Sequence, residues 1–294
     1  TPKKLLIDFR INVKTKYHIE RDKKEEALAG NIGTTCKGVG PTYENLRRGF
    51  TLQQLVNNEY KEIVKENLNN RFNDLNISSN GVIEDLELTI EFLKPFLQDT
   101  RKIIRKSDSV LFESGQGYKI GIYTGDKPYT TCSDPTPGGI ADSFGYTEIP
   151  ERIGVVKAYS TRVGHGPFDT ELRNGVGDWI RKSGNEYGTT TGRPRRCGWF
   201  DCELILEAME YCSINELAIT HLDTLSNIPE LKIKTSDGKL IDMGTWESFS
   251  PELKKKSDLP INAQAYISKI EEESKTPITI ISIGSERSHK ISLR

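Results

Sequence analysis

Trp199-Phe200-Asp201-Cys202-Glu203-Leu204-Ile205-Leu206-Glu207-Ala208-Met209-Glu210-Tyr211-Cys212-Ser213-Ile214, followed closely by Leu217-Ala218-Ile219-Thr220-His221-Leu222, is the stretch on which the fold turns. Leu204, Ile205, Ala208, Met209 and Tyr211 supply an apolar face at helical spacing, so Trp199–Ile214 is predicted as a helix. The apolar run Leu217–Leu222 behind it is predicted as a strand. Similar runs predict strands at Val110–Glu113, Ile153–Ser160 and Ile278–Ile283, each followed by a polar or glycine-bearing segment. Strands alternating with helices give the fold class α/β, with a mostly parallel central sheet flanked by helices. In such sheets ligands collect at the carboxyl ends of the strands.

Outward from this centre, apolar residues at three- and four-residue steps predict an amphipathic helix over Leu52–Leu75. A second helix is predicted over Glu84–Lys106, kinked or split by Pro95, with a solvated loop over Asn73–Gly81 between them. Leu231–Thr235 and Lys239–Met243 flank Ser236-Asp237-Gly238 as a hairpin. Leu5–Ile11 is a β-like run near the first residue, and it reads as the interior of a fold whose amino-terminal part is missing. Residues 1–294 are expected to form a single, N-terminally incomplete domain.

The 294 residues suffice for a sizeable core. Charged residues make up 28% of the chain, yet the formal net charge is −1, so no global field draws nucleic acid or a membrane surface. The longest apolar runs are far short of a membrane span. The five cysteines form no CxxC pair, which argues for free thiols in a reducing cytoplasm rather than a disulfide framework or a zinc site.

The chemistry concentrates in loops. Gly188-Thr189-Thr190-Thr191-Gly192-Arg193-Pro194-Arg195-Arg196 sets hydroxyls beside guanidinium groups, a combination that clamps small anions. Ile32-Gly33-Thr34-Thr35-Cys36-Lys37-Gly38-Val39-Gly40-Pro41 packs glycines and hydroxyls suited to phosphate oxygens, with Arg47 and Arg48 close behind, but it is not a Walker A loop. Gln116 in Phe112–Gly117 offers both a donor and an acceptor. Asp223, at the end of Thr220-His221-Leu222-Asp223, can accept N1–H and N2–H₂ of guanine, or can cap a helix. Ser282-Ile283-Gly284 ends the last predicted strand. No HExxH and no Gly-x-Ser-x-Gly occurs.

Taken in order, these segments resemble the adenylosuccinate synthetase family. The family's IGTTGxGIGPxY is similar to Ile32–Tyr43, its FEGAQG to Phe112–Gly117, and its YPYVTSS to Lys127–Ser133. KAYSTRVGxGPFPTE is similar to Lys157–Glu171, GNEFGATTGRxRRxGW to Gly184–Trp199, TKLD to Thr220–Asp223, and STGPDR to Ser282–Arg287. The resemblance implies a P-loop-NTPase-like fold and a homodimeric cytoplasmic enzyme that uses no nucleic acid or membrane. It implies GTP-dependent ligation of IMP and L-aspartate to adenylosuccinate, through 6-phosphoryl-IMP and with Mg²⁺. By position, Thr34, Thr35, Arg47, Arg48, Gln116, Thr131 and Arg193 correspond to IMP contacts, with Arg47 or Arg48 reaching the neighbouring subunit. Thr189, Thr190, Thr191, Gly192, Arg193 and Arg195 correspond to the aspartate loop. Arg195, His221, Leu222, Asp223, Ser282, Ile283 and Gly284 correspond to GTP contacts.

The family's catalytic Asp and His, with its phosphate loop and Mg²⁺ ligands, have no match here and are expected upstream, leaving Gln116 a supporting role. His221 stands where the family has Lys, Tyr123 and Ser285 where it has Asp and Pro, and the Glu44–Arg47 spacing is short. The alternatives are a non-catalytic nucleotide-binding relative, or a ligase for a modified purine such as dGMP.

Overall fold

The computed structural model describes residues 4–28, 33–189 and 192–294. They form two compact units, residues up to 147 and residues from 148.

The first unit is largely helical. Strand β1 (Ile7–Asp8) pairs in parallel with β2 (Leu97–Gln98), so only two residues of the Leu5–Ile11 run join a ladder. Between them lie α1 (Lys16–Leu28), α2 (Val39–Glu44), α3 (Leu52–Val56), α4 (Asn58–Asp74) and α5 (Val82–Leu93). The single helix expected over Leu52–Leu75 is two. Asn57 leaves helical backbone and its side chain accepts from the Glu59 N–H (3.0 Å), capping α4. The Pro95 split is present: α5 stops at Leu93, a 3₁₀ turn covers Lys94–Phe96, and a short helix α6 (Thr100–Ile104) follows β2. Helix α7 (Pro137–Phe144) completes the unit. Phe50, Leu55, Val64, Leu68 and Ile90 form its core.

The predicted strand Val110–Glu113 is not formed. The backbone there pairs with no other strand among the described residues, and Leu111 is 88% exposed. An apolar run without a ladder partner stays irregular.

The second unit carries the central sheet. Its elements are β3 (Ile153–Lys157), β4 (Ser160–Arg162), α8 (Gly175–Ser183), β5 (Arg196–Gly198), β6 (Phe200–Asp201), α9 (Cys202–Cys212) and β7 (Glu216–Thr220). They continue with β8 (Leu231–Lys234), β9 (Leu240–Met243), α10 (Ile261–Ser274), β10 (Ile278–Ser282) and β11 (Lys290–Ser292). The sheet order is β11-β10-β7-β3, with β10, β7 and β3 parallel and β11 antiparallel. Leu217, Ala218 and Ile219 of the central strand β7 are all buried, as a parallel strand covered on both faces requires. Tyr266, Ile267 and Ile270 of α10 join Leu217 and Ile219 in one core, and the Tyr266 hydroxyl donates to the Ala158 carbonyl (2.7 Å).

The decisive helix starts three residues later than the spacing predicts. Phe200 and Asp201 pair with Ile233 and Lys234, and the Asp201 carboxylate caps α9 by accepting from the Leu204 N–H (3.1 Å). Ser213, in left-handed backbone (φ 49°), ends it. The predicted hairpin is β8–β9.

Candidate functional site

Two groups of loops carry the sequence-predicted residues, one in each unit.

In the first unit, the Thr34–Gly38 loop is built around the buried Asp22 of α1. Asp22 accepts from the Gly38 N–H (2.7 Å) and the Thr34 hydroxyl (3.2 Å). Gly38 has left-handed backbone (φ 75°), and a Cβ there would lie 2.7 Å from the backbone of His18 and Ile19. The turn therefore needs glycine both for conformation and for close approach to α1. Thr34 spends its hydroxyl inside the fold, whereas Thr35 is exposed. Gly40 lies beside the next loop, since a Cβ on it would stand 3.6 Å from Cys132 Sγ. The start of α2 and the Thr131–Cys132 segment, some ninety positions apart in sequence, are thus neighbours. Burial, aided by Glu44 and Asp22, pushes the Cys132 thiol up.

Gln116 is exposed with left-handed backbone (φ 75°) between Gly115 and Gly117, which have open space around them. Arg47 and Arg48 are exposed in a turn after α2. They border a groove of about 240 Å³ whose other wall includes Tyr60, Ile63 and Asn67 of α4.

In the second unit, three adjacent parallel strands end together. Lys157 closes β3, Thr220 closes β7 just before His221–Asp223, and Ser282 closes β10 just before Ile283 and Gly284. Asp223 is exposed and makes no hydrogen bond with its carboxylate among the described residues; it opens a 3₁₀ turn but does not cap it with its side chain. Leu222 and Ile283 have buried side chains, so only their backbone can meet a ligand. The Ser282 hydroxyl donates to the Gly284 carbonyl (3.2 Å).

The arginine loop is a short hairpin: Tyr187 bridges Pro194, the Gly188 N–H donates to the Arg193 carbonyl (2.8 Å), and the Gly192 N–H to the Gly188 carbonyl (2.7 Å). Thr189 and Arg193 are exposed and Gly192 is left-handed (φ 63°). Thr190 and Thr191 lie outside the described residues.

The three guanidiniums differ. Arg196 is spent on structure: its Nε and one terminal nitrogen pair with both Glu171 oxygens (2.7 Å each), and it also donates to the Gly166 carbonyl. That fork holds the Glu171 carboxyl down at about 2, Arg196 being the first cause and outweighing burial. Arg195 pairs with Glu186 (2.8 Å).

Glu186, only 1% exposed, was not singled out by its sequence context. It accepts from Lys157 Nζ (2.6 Å), from the Tyr159 hydroxyl (2.6 Å) and from Arg195. Burial raises its carboxyl, but those hydrogen bonds outweigh burial and leave it lowered, so it stays charged. His221, in left-handed backbone (φ 60°), sets Nδ1 3.3 Å from the Tyr159 oxygen and 3.2 Å from the Thr224 hydroxyl. Burial, then the Lys157 charge, pulls its imidazole down against Glu186 and Asp223, so the ring is neutral at neutral pH. Glu186, Lys157 and Tyr159 sit within quoted motifs, but a sequence does not display that a charged residue is buried.

No group of three His, Cys, Asp or Glu among the described residues could hold a metal ion. No helix among them is long and apolar enough to cross a membrane.

The profile of the adenylosuccinate synthetase family matches residues 1–242 and 235–291. An adenylosuccinate synthetase of Caldanaerobacter subterraneus is 38% identical, with 99% of this chain and 77% of that protein covered. One of Clostridium perfringens is 33% identical, covering 100% and 78%. Among solved structures, a fully ligated adenylosuccinate synthetase from Plasmodium falciparum superposes with a TM-score of 0.91 at 30% identity, covering 99% of this chain and 78% of that one. A cyanophage S-2L succinoaminodeoxyadenylate synthetase shares the fold alone, with a TM-score of 0.61 at 16% identity and coverage of 100% and 70%. The chain belongs to the adenylosuccinate synthetase family, and with it to the ligases of AMP biosynthesis.

Proposed function

We propose that this chain joins IMP to L-aspartate at the expense of GTP, giving adenylosuccinate, GDP and phosphate. One observation carries the reading: Arg195, His221–Asp223 and Ser282–Gly284, far apart in sequence, gather at the carboxyl ends of three adjacent parallel strands. That is where an α/β sheet binds its ligands.

Asp223, exposed and unpaired within the described protein, offers two acceptors to guanine N1–H and N2–H₂. His221 lies beside it, and the backbone of Ser282–Gly284 borders the base or its sugar. The 188–195 hairpin offers N–H groups, the Thr189 hydroxyl and the Arg193 and Arg195 guanidiniums to the aspartate carboxylates. Thr35, Gln116, Thr131 and one of Arg47 and Arg48 are the IMP contacts of the first unit. A homodimer in which that arginine serves the neighbouring subunit, and a cytoplasmic location, complete the proposal.

In the first step N1 of IMP loses its proton, and O6 takes the γ-phosphoryl group of GTP as GDP leaves. In the second the aspartate amine attacks C6, phosphate departs, and the amine gives up a proton. Among the described residues no cluster of three His, Cys, Asp or Glu could hold Mg²⁺ by protein ligands alone. The test is turnover of this chain with IMP, GTP, aspartate and Mg²⁺, followed by the absorbance of adenylosuccinate. Product that depends on all three substrates supports the proposal. Absence of product with IMP binding retained overturns it for this chain.

A further inference from the structure

A single buried carboxylate touches Arg195 directly and reaches His221 through Tyr159. Glu186 Oε2 accepts from Arg195, while Oε1 accepts from Lys157 Nζ and from the Tyr159 hydroxyl. The backbone repeats the link, because the Arg195 N–H donates to the Glu186 carbonyl (2.9 Å) and Arg181 Nε to the Arg195 carbonyl (2.8 Å).

Donor accounting fixes the other arm. The Tyr159 proton is committed to the carboxylate, so toward His221 the phenol oxygen can only accept. A proton on Nδ1 of His221 satisfies the phenol oxygen and the Thr224 hydroxyl (3.2 Å) together, which leaves Nε2 of the neutral ring as an acceptor. The close approach is paid for in sequence by Gly184: any Cβ there would lie 2.2 Å from the Tyr159 hydroxyl, although the backbone itself (φ −84°) suits any residue.

We propose that Glu186 is a positioning residue that sets two ligand groups at once: it holds the Arg195 guanidinium directly and, through Tyr159, fixes His221 as the Nδ1–H tautomer with Nε2 free to accept. What Arg195 and His221 then bind rests on the ligase reading; the positioning itself does not.

The test combines two variants and two readouts on the full chain. Tyr159→Phe removes the phenol but keeps its ring, and Glu186→Gln replaces a double acceptor by one acceptor and one donor. Long-range ¹H–¹⁵N correlation spectra, with the His221 signal assigned through His221→Asn, report the tautomer without any substrate. We expect Nδ1–H in the wild type and a mixture in Tyr159→Phe, where the Thr224 hydroxyl can donate or accept. In kinetics, Tyr159→Phe raises the KM for GTP about tenfold and leaves that for aspartate unmoved, as loss of one positioned contact implies. Glu186→Gln raises both. An unchanged tautomer in Tyr159→Phe overturns the proposal, and so does a loss in kcat alone in Glu186→Gln with both KM values at wild-type level. Should the wild type not turn over, the ligase reading falls, and the tautomer result alone decides the positioning role.

Discussion

Asp223 stands exposed just past the end of β7 with its carboxylate unpaired among the described residues, a costless state in water, and the guanine contact proposed for it would use both oxygens as acceptors. Asp223→Asn removes the charge and one acceptor. Charge-assisted hydrogen bonds are worth about 1.5–3 kcal/mol each, so the KM for GTP is expected to rise by about 10- to 150-fold. The preference for GTP over ITP, which lacks the 2-amino donor, should collapse in the same variant, and paired kinetics with the two nucleotides checks this. Arg196 is the opposite case. Its fork on Glu171 and the Gly166 carbonyl is internal, and Arg196→Lys cannot reproduce two parallel bonds. A stability loss of about 1–3 kcal/mol in urea unfolding is expected, with KM values for all three substrates unmoved. In sequence, Arg195 and Arg196 look alike; what separates them is which carboxylate each meets, Glu186 or Glu171, and that is settled by the fold. The same limit hid Thr34, whose hydroxyl reads as a phosphate ligand until Asp22, twelve residues earlier, is seen to take it. For Asp223 the sequence left two readings, a base acceptor or a cap, and the fold removes the second, since its side chain caps no turn.

Strands β3, β7 and β10 were readable as short apolar runs between polar loops, and each found a parallel neighbour to complete its ladder. Val110–Glu113 has the same pattern but no ladder, so periodicity alone overcalled it. Helix interiors and the outer bounds Leu52 and Leu75 were legible, but two breaks were not: side-chain caps at Asn57 and Asp201 override the apolar spacing that runs through them. Asp201 makes the point testable. It caps α9 through one oxygen, and the other lies 3.4 Å from Lys234, which keeps Glu203 at 2.7 Å. Asp201→Asn retains an acceptor for the Leu204 N–H and should cost little. Asp201→Ala loses the cap and is expected to destabilise by about 1–2 kcal/mol. Chemical denaturation of the pair measures the difference, and equal losses would assign the effect to the ion pair instead.

For the molecule as a whole, a net charge of −1 leaves little global repulsion, so stability against pH is set by a few perturbed groups. His18 is the foremost near neutrality. It is 1% exposed, and its Nδ1 accepts from the Thr15 N–H at the start of α1 (3.0 Å). Burial above all, then the charges of Arg71 and Arg21, pulls its imidazole from 6.5 down to about 4. The unfolded chain therefore binds the extra proton first, and stability falls as pH drops below 6.5 and goes on falling to about 4. The full effect is on the order of 3 kcal/mol, of which about 2 kcal/mol is lost between about pH 7 and about pH 5. At lower pH, Glu171 (through Arg196) and Glu273 (through Lys269), each held at about 2 from a usual 4.5, add their own losses between those values. His18→Gln separates the first window from the second. Thr15 precedes α1, and a Gln three residues on completes a capping box, accepting from the Thr15 N–H without titrating. Urea unfolding of the variant at the two higher pH values is expected to show less than half the wild-type loss, with an unchanged denaturant slope. An equal loss in both proteins would place the acid sensitivity outside α1.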